Sequence, residues 1–187
     1  MKIVVLGGGI STERDVSLSS SRMIYEALKK KGHQAILLDV YLGYEGDYED
    51  IFEKNIDWAE NIGGITESNP DISSIKALRK DGGKSFFGPG VIPVCQMADV
   101  VFLGLHGEDG ENGKVQAAFD LLGIRYTGTD YVSSALAMDK SLAKELFAFH
   151  SIPTPAGTHL KKGEESTQRV PCLLYTSPSP RDPKTSR

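Results

Sequence analysis

The sequence predicts an α/β fold in which a parallel sheet is flanked by helices, and three observations carry that expectation. Lys2-Ile3-Val4-Val5-Leu6 is β-branched and apolar at successive positions, as a strand buried on both faces must be, and Gly7-Gly8-Gly9 breaks it. A stretch of helical period then leads into a second apolar run, Gln34 to Val40, giving a β-α-β unit with a right-handed crossover. A third run, Val100 to Leu105, ends in a loop that holds His106, Glu108, Asp109, Glu111 and three glycines before another helix begins. Ligands of α/β proteins sit at such strand ends, and a loop this rich in glycine and acid is poor packing material.

Taken in order, the first helix is expected to bury Val16, Ser20, Met23, Ile24, Ala27 and Leu28, which fall on one face. Lys29 to Lys31 suit the negative end of its dipole, and Gly32 can take the left-handed position that closes it. Tyr41 to Cys95 is harder to read: a short helix is expected from Tyr48 to Asn55. Gly63-Gly64, Asp81-Gly82-Gly83 and Gly88-Pro89-Gly90 mark turns, and an inserted hairpin and a flap remain open. In the helix after the acidic loop, Asn112 is the expected N-cap and Val115, Ala118, Phe119 and Leu122 the buried stripe, with Gly123 as its stop. Ile124 to Thr127 reads as a short strand, Gly128-Thr129-Asp130 as a turn, and Asp139 to His150 as a helix lined by Leu142, Leu146 and Phe149. Pro153 and Pro155 end that helix and lead into a new element, Gly157 to Leu160.

With 187 residues the chain can bury one full core and part of a second. Its net charge of −4, with no basic patch, argues against nucleic acid as a main partner. No apolar run reaches membrane-spanning length and the chain opens directly on a strand, so neither export nor membrane insertion is expected. Cys95 and Cys172 make neither a metal-ligand spacing nor a disulfide framework, so no metal ligands are assigned and a reducing cytoplasm is expected.

Three constellations could carry chemistry. In Gly7-Gly8-Gly9-Ile10-Ser11-Thr12-Glu13-Arg14-Asp15 a strand, a glycine turn and a helix N-terminus offer unpaired N–H groups to an anion. Glu13 would repel a phosphate there and would suit a bound ammonium; alternatively, Glu13 and Asp15 only complement the helix dipole. A dinucleotide site competes for the same loop, with Asp39 as the ribose acid, but Thr12 stands where the third glycine of that fingerprint belongs. The second constellation is His106 with Glu111, in which the carboxylate could fix the imidazole tautomer, or His106 could simply cap its loop. The third is Met138-Asp139-Lys140: a lysine in a helix's first turn opposes the dipole, so a nearby phosphate would account for it, although a solvated lysine is the ordinary alternative.

The ordered set Gly8 to Ser17, Leu105-His106-Gly107 with Gly110 to Gly113, Tyr126-Thr127-Gly128 and Ser134 to Lys140 resembles the D-alanine–D-alanine ligase family of the ATP-grasp superfamily, over Met1 to about Lys162. The resemblance implies a Rossmann-like N-terminal substrate domain over residues 1–135. It also implies the beginning of an incomplete ATP-grasp central domain over 136–169. By the same resemblance the parent protein joins two D-alanines for peptidoglycan precursors. ATP phosphorylates the first carboxylate to an acyl phosphate, and the second amine attacks it. Glu13 would hold the first substrate's ammonium, His106 would lie beside that substrate with Glu111 supporting it, and Lys140 would contact ATP phosphate. The Mg²⁺ ligands would belong to a C-terminal domain, the parent would dimerise through its N-terminal domain, and this chain alone would be inactive. Asn112 departs from the family, many of whose members carry aspartate there. The competing functions are a stand-alone small-molecule binding domain, a nucleotide-dependent oxidoreductase, and a ligase whose second substrate is D-lactate or D-serine.

Residues 170–187 change character: they hold four of the nine prolines, no periodicity and mostly basic charge, as a disordered tail would. Cys172 to Asp182 also resembles the translation of a transposon adapter used in DNA sequencing libraries, which implies a non-native segment to be left out of fold reasoning; a natural flexible tail is the alternative.

Overall fold

The computed structural model describes residues 1–155 except 61, 66 and 67. Strand β1 (Lys2–Gly7) is central, with β2 (Gln34–Asp39) on one side and β3 (Val100–Leu103) on the other, all parallel. Helix α1 (Arg14–Lys30) makes the crossover from β1 to β2. Helices α2 (Ile72–Ala77) and α3 (Val91–Met97) precede β3, and α4 (Lys114–Leu122), α5 (Tyr131–Met138) and α6 (Lys140–Phe149) follow it.

Strand alternation feeds two apolar layers. Val4, Leu6, Ile36, Leu38 and Val101 pack with Ile51, Val91, Val94, Val115 and Phe119 on one side, while Val5, Ala35 and Leu37 meet Tyr25 and Ala59 on the other. Both faces are thus covered, which is why these strands read as unbroken apolar runs. Each fully buried aliphatic side chain contributes about 1.5–3 kcal/mol against exposure.

Several expectations need correction. Helix α1 buries Arg14, Ser17, Ser21 and Tyr25, while Val16 and Met23 face solvent at 36% and 63% exposure. The reason is spatial: Ser17 and Ser21 lie against the ends of β1 and β3, and their hydroxyls donate to the Gly104 carbonyl at 2.7 and 3.3 Å. A Cβ at Gly7 or Gly104 would sit 2.5 or 2.2 Å from Ser21 Oγ, so small residues on both sides set the approach of helix to sheet.

Tyr48 to Asn55 forms turns instead of a helix, closed by Ile51 N–H to Tyr48 O (3.3 Å) and Glu53 N–H to Asp50 O (2.9 Å). Buried Ile51 and Phe52 anchor it. The same region contains two unforeseen helices. Asp71 caps α2 by accepting from Ser73 and Ser74 N–H at 3.0 and 3.2 Å, and α3 buries Val91, Val94 and Cys95 at i, i+3, i+4 spacing. Pro93 is tolerated because it lies in the first turn of α3, where an N–H would lack an intrahelical partner.

Gly113, in the left-handed conformation, holds the N-cap position of α4, and Asn112 Oδ1 accepts from Lys114 N–H at 3.2 Å. The buried side of α4 is Val115, Gln116 and Phe119, with Leu122 42% exposed; Gly123 closes the helix in the left-handed region as expected. The expected strand Ile124–Thr127 is reduced to one parallel bridge between Tyr126 and Val101. Its propagation stops because Leu103 N–H donates to Thr127 Oγ1 instead of to a backbone carbonyl.

The chain divides into two compact units, residues 1–138, which include the unforeseen α5, and a second beginning at Asp139. In the second unit Asp139 caps α6 by accepting from Ser141 and Leu142 N–H, both at 3.0 Å. Phe149 is 82% exposed. The expected element Gly157–Leu160 and the segment 170–187 lie outside the described residues. Among the described residues no helix is long and apolar enough to cross a membrane.

Candidate functional site

Two loops meet at the carboxyl ends of β1 and β3, where a parallel sheet presents its ligands. The first runs from Gly8 to Glu13 and the second from Gly104 to Gly113. Ser11 joins them: its hydroxyl donates to the His106 carbonyl at 2.8 Å and accepts from Glu13 N–H at 3.2 Å. Together they line a pocket of about 290 Å³ formed by Ile10, Ser11, Thr12, Gly107, Glu108 and Asp109.

The first loop is held from below by a buried ion pair. Arg14, 7% exposed, donates to the Gly9 carbonyl at 2.6 Å and pairs with Asp39. Asp39 Oδ1 also accepts from Tyr41 and Leu42 N–H at 2.9 and 3.0 Å. This carboxylate is therefore committed to the loop, which removes the ribose-binding role weighed for it. Gly8 is required by the same pair: it has φ +76°, and a Cβ there would lie 2.3 Å from Asp39 Oδ2.

Glu13 holds the N-cap position of α1 without a side-chain cap hydrogen bond, so its carboxylate is not spent on the helix end. It lies beside Gly107, where an added Cβ would be 3.2 Å from Glu13 Oε2 and 3.0 Å from Ser11 Oγ. Asp15, in the first turn, complements the helix dipole. Glu13 and the His106 loop are thus brought together.

Glu111 does something different from orienting an imidazole. Its Oε2 accepts from Gly107 N–H at 2.9 Å, and its own N–H donates to the Gly107 carbonyl at 3.0 Å. Among the described residues no hydrogen bond joins it to the His106 ring, so it fixes the backbone after His106. Lys114 pairs with Asp109 at 2.7 Å across the same loop, and that hydrogen bond raises the lysine pKa above its usual value.

Lys140 belongs to the second unit, where it is exposed as the first residue of α6. Asp139 already satisfies the first N–H groups there, so any phosphate contact would rest on the lysine side chain. Among the described residues no group of three or more His, Cys, Asp or Glu side chains could hold a metal ion. Sequence reasoning overlooked the tying roles of Ser11, Ser17, Arg14 and Asp39 and the burial of Gln116. The i, i+3 spacing of Arg14 and Ser17 on α1 was the available signal.

A family model described as D-ala D-ala ligase N-terminus matches residues 2–129. A D-alanine–D-alanine ligase of Lacticaseibacillus casei (strain BL23) is 45% identical over 175 residues, covering 91% of this chain and 48% of the relative. One from Pediococcus pentosaceus is 46% identical over 172 residues, covering 87% and 48%. The chain therefore spans about half the length of these curated relatives. Among solved structures, the D-alanine–D-alanine ligase of Coxiella burnetii superposes with a TM-score of 0.60 at 26% identity, covering 94% of this chain and 49% of that one. The Bacillus anthracis ligase complexed with ATP gives 0.55 at 24% identity, covering 92% and 44%, a likeness of fold.

Proposed function

This chain belongs to the family of D-alanine–D-alanine ligase N-terminal domains, and on that premise we propose that it is the substrate-gripping part of an ATP-dependent ligase that joins two D-alanines in the cytoplasm for peptidoglycan precursors. The observation that carries this reading is the uncapped Glu13 carboxylate held against Gly107 of the His106 loop. An ammonium placed there would donate to Glu13. The substrate carboxylate would then lie toward the positive end of α1, whose 17 residues supply a full helix dipole. His106 would lie alongside that carboxylate, with its loop fixed by Ser11 and Glu111.

In such a ligase ATP supplies the phosphoryl group that converts the first carboxylate to an acyl phosphate. The second amine then forms the peptide bond as phosphate leaves. Lys140 suits a phosphate contact through its exposed ammonium. We assign the Mg²⁺ ligands to another part of the ligase, and the expected dimer contact to this N-terminal domain. The 187-residue chain alone is then a binding unit without turnover.

The test is titration of the chain with D-alanine, followed by calorimetry and amide NMR, beside an assay of ADP release. Saturable D-alanine binding without ADP release is expected. Glu13→Gln should weaken that binding by about ten- to a hundredfold, as loss of a charge-assisted hydrogen bond does. Unchanged binding by Glu13→Gln would remove Glu13 from the grip, and D-alanine-dependent ADP release would refute inactivity. Saturable NAD(H) binding would favour the oxidoreductase reading.

A further inference from the structure

The segment between α2 and α3 shares a pocket of about 340 Å³ with the first site loop, lined by Ile10, Tyr41, Lys76, Lys84, Phe86 and Asp109 among others. Its volume falls within the range of small-molecule sites. Arg79 fixes the segment: buried at 7% exposure, it donates to the Tyr41 and Ser85 carbonyls at 2.8 and 3.1 Å, pairs with Asp81, and lies 4.8 Å over the Tyr41 ring. Tyr41 is 2% exposed, and Gly83, which also lines the pocket, lies so close that an added Cβ would be 2.4 Å from Tyr41 Oη. Among the described residues Tyr41 makes its hydrogen bonds through its backbone N–H and carbonyl, and its hydroxyl makes none. Gln116 Oε1 is the one fully enclosed side-chain polar atom without a partner among those residues, so the Tyr41 hydroxyl still reaches open space, at the pocket wall it shares with Gly83. The acids nearby are already engaged: Asp81 by Arg79, Glu45 by Lys80 and Asp109 by Lys114. Lys76 and Lys84 are exposed and have no carboxylate partner among the described residues, which leaves two uncompensated cations on one pocket. Like charges so placed repel each other, and an anion between them reverses the sign of that interaction.

We propose that this pocket binds a phosphate monoester through the side chains of Lys76, Lys84 and Tyr41. A terminal phosphate group brings three strong acceptor oxygens and a charge of about −2 at neutral pH. The pocket answers with three donor groups, two ammoniums and one phenol, and with two positive charges. The phenol is fixed by its burial under Arg79, while each ammonium rides a flexible four-carbon stem and can turn toward a ligand seated on Tyr41. Ile10 and Phe86 supply apolar surface for the ester group. Asp109 would repel the dianion, but Lys114 neutralises it at 2.7 Å. A carboxylate would balance only one of the two lysines. The pocket shares Ile10 and Asp109 with the one beside Ser11, yet Lys76, Lys84 and Tyr41 have no part in the proposed D-alanine grip, so the site does not depend on it.

The probe is phenyl phosphate titrated into the ¹⁵N-labelled 187-residue chain at constant ionic strength. The backbone amides of Gly82, Gly83 and Ser85 should shift and saturate, and benzoate, with the same ring and a single charge, should bind about tenfold or more weakly. Lys76→Gln and Lys84→Gln should each weaken phenyl phosphate binding about tenfold or more, as loss of a charge-assisted hydrogen bond does. Tyr41→Phe keeps the ring under Arg79 and should weaken it by about tenfold. Lys80→Gln removes an exposed charge that does not line the pocket and should leave the affinity unchanged. Both pocket lysines are exposed, so their variants keep the fold; if Tyr41→Phe loses it, judged by Trp58 fluorescence, the lysine variants and benzoate decide the matter. Equal losses from Lys80→Gln and Lys84→Gln would mean diffuse charge attraction and overturn the site. Shifts without saturation, shifts confined to Ser11 and Gly107, or equal binding of benzoate would overturn it too. Inorganic phosphate binding as tightly as phenyl phosphate would overturn the ester in favour of the free ion.

Discussion

Asp39→Asn tests the scaffold of the site most directly. In the folded protein Asp39 neutralises Arg14 with both side chains largely buried, at 9% and 13% exposure. Asparagine keeps an oxygen for Tyr41 and Leu42 N–H, so the turn after β2 retains its hydrogen bonds. The other half of the amide would present N–H donors to a guanidinium, leaving a buried cation without its counter-charge. Breaking a buried pair in this way costs about 3–5 kcal/mol, and the retained Arg14 bond to the Gly9 carbonyl places the expected loss near ~3 kcal/mol. For a unit of this size that is a fall in melting temperature of roughly 6–12 °C. The chain has one tryptophan, Trp58, packed edge-on to Tyr44 at 5.3 Å and touching both apolar layers, so its fluorescence reports urea and thermal unfolding of the first unit. A loss below about 1 kcal/mol would refute the assignment of Asp39 to the loop, since such a value is what surface pairs give. A loss of NAD(H) binding at unchanged stability would restore the ribose role.

Gly107→Ala should cost about 1–2 kcal/mol for the left-handed φ of +80° alone, and the new Cβ would also press on Ser11 and Glu13. Calorimetry should show D-alanine affinity falling with it; unchanged binding would mean that Glu13 does not depend on this contact. Arg79 holds the Asp81 carboxyl down at about 2, so Asp81 adds stability above its unfolded value of 3.8 and loses it as pH falls through about 2. The stability gap between the wild-type chain and Asp81→Asn, measured by urea unfolding, should therefore narrow from pH 5 to pH 2, and a constant gap would contradict that linkage.

The sheet was legible because a strand buried on both faces must be apolar through its interior, as Ile3–Leu6, Ala35–Leu38 and Val100–Leu103 are. The face of α1 was legible only at Ile24 and Leu28, which pack on the second apolar layer, because the residues that approach the sheet nearer its N-terminal end are serines. A hydrophobic period can only find contacts made by large side chains, and it selected Val16 and Met23, which are solvated. The same limit concealed Gln116, a polar residue on the inner face of α4. In the stretch from Tyr41 to Cys95 the helices span six and seven residues, too short for a periodic pattern to stand out. The Asp71 cap and the Val91, Val94, Cys95 triplet were nevertheless present in the sequence. The residues of the two site loops were legible as a group, and the structure places Glu13 beside Gly107 of the second loop. The partner of Glu111 was not, since a carboxylate four residues beyond Gly107 can reach the backbone as readily as a ring.

The contacts that assemble the site differ in kind from those that assemble the sheet. Val4, Leu6, Ile36 and Val101 are fully or almost fully removed from water, and each alone contributes more than a neutral hydrogen bond, whose net worth is about 1 kcal/mol. The approach of the first loop to the second rests on such hydrogen bonds: Ser17 to Gly104, and Ser11 to His106 across 95 residues of chain. The Arg14–Asp39 pair holds the Gly9 end of the first loop, and Glu111 holds the Gly107 end of the second, so that among the described residues the Ser11 hydroxyl makes the one hydrogen bond that crosses between Ile10–Glu13 and His106–Gly107. Local opening should therefore separate these loops long before the sheet unfolds, because the free energy holding them is a small part of the total. A ligand that bridges Glu13 and the His106 loop would add its own interactions across that weak seam. Substrate binding would then close the site without any rearrangement of β1, β2 or β3.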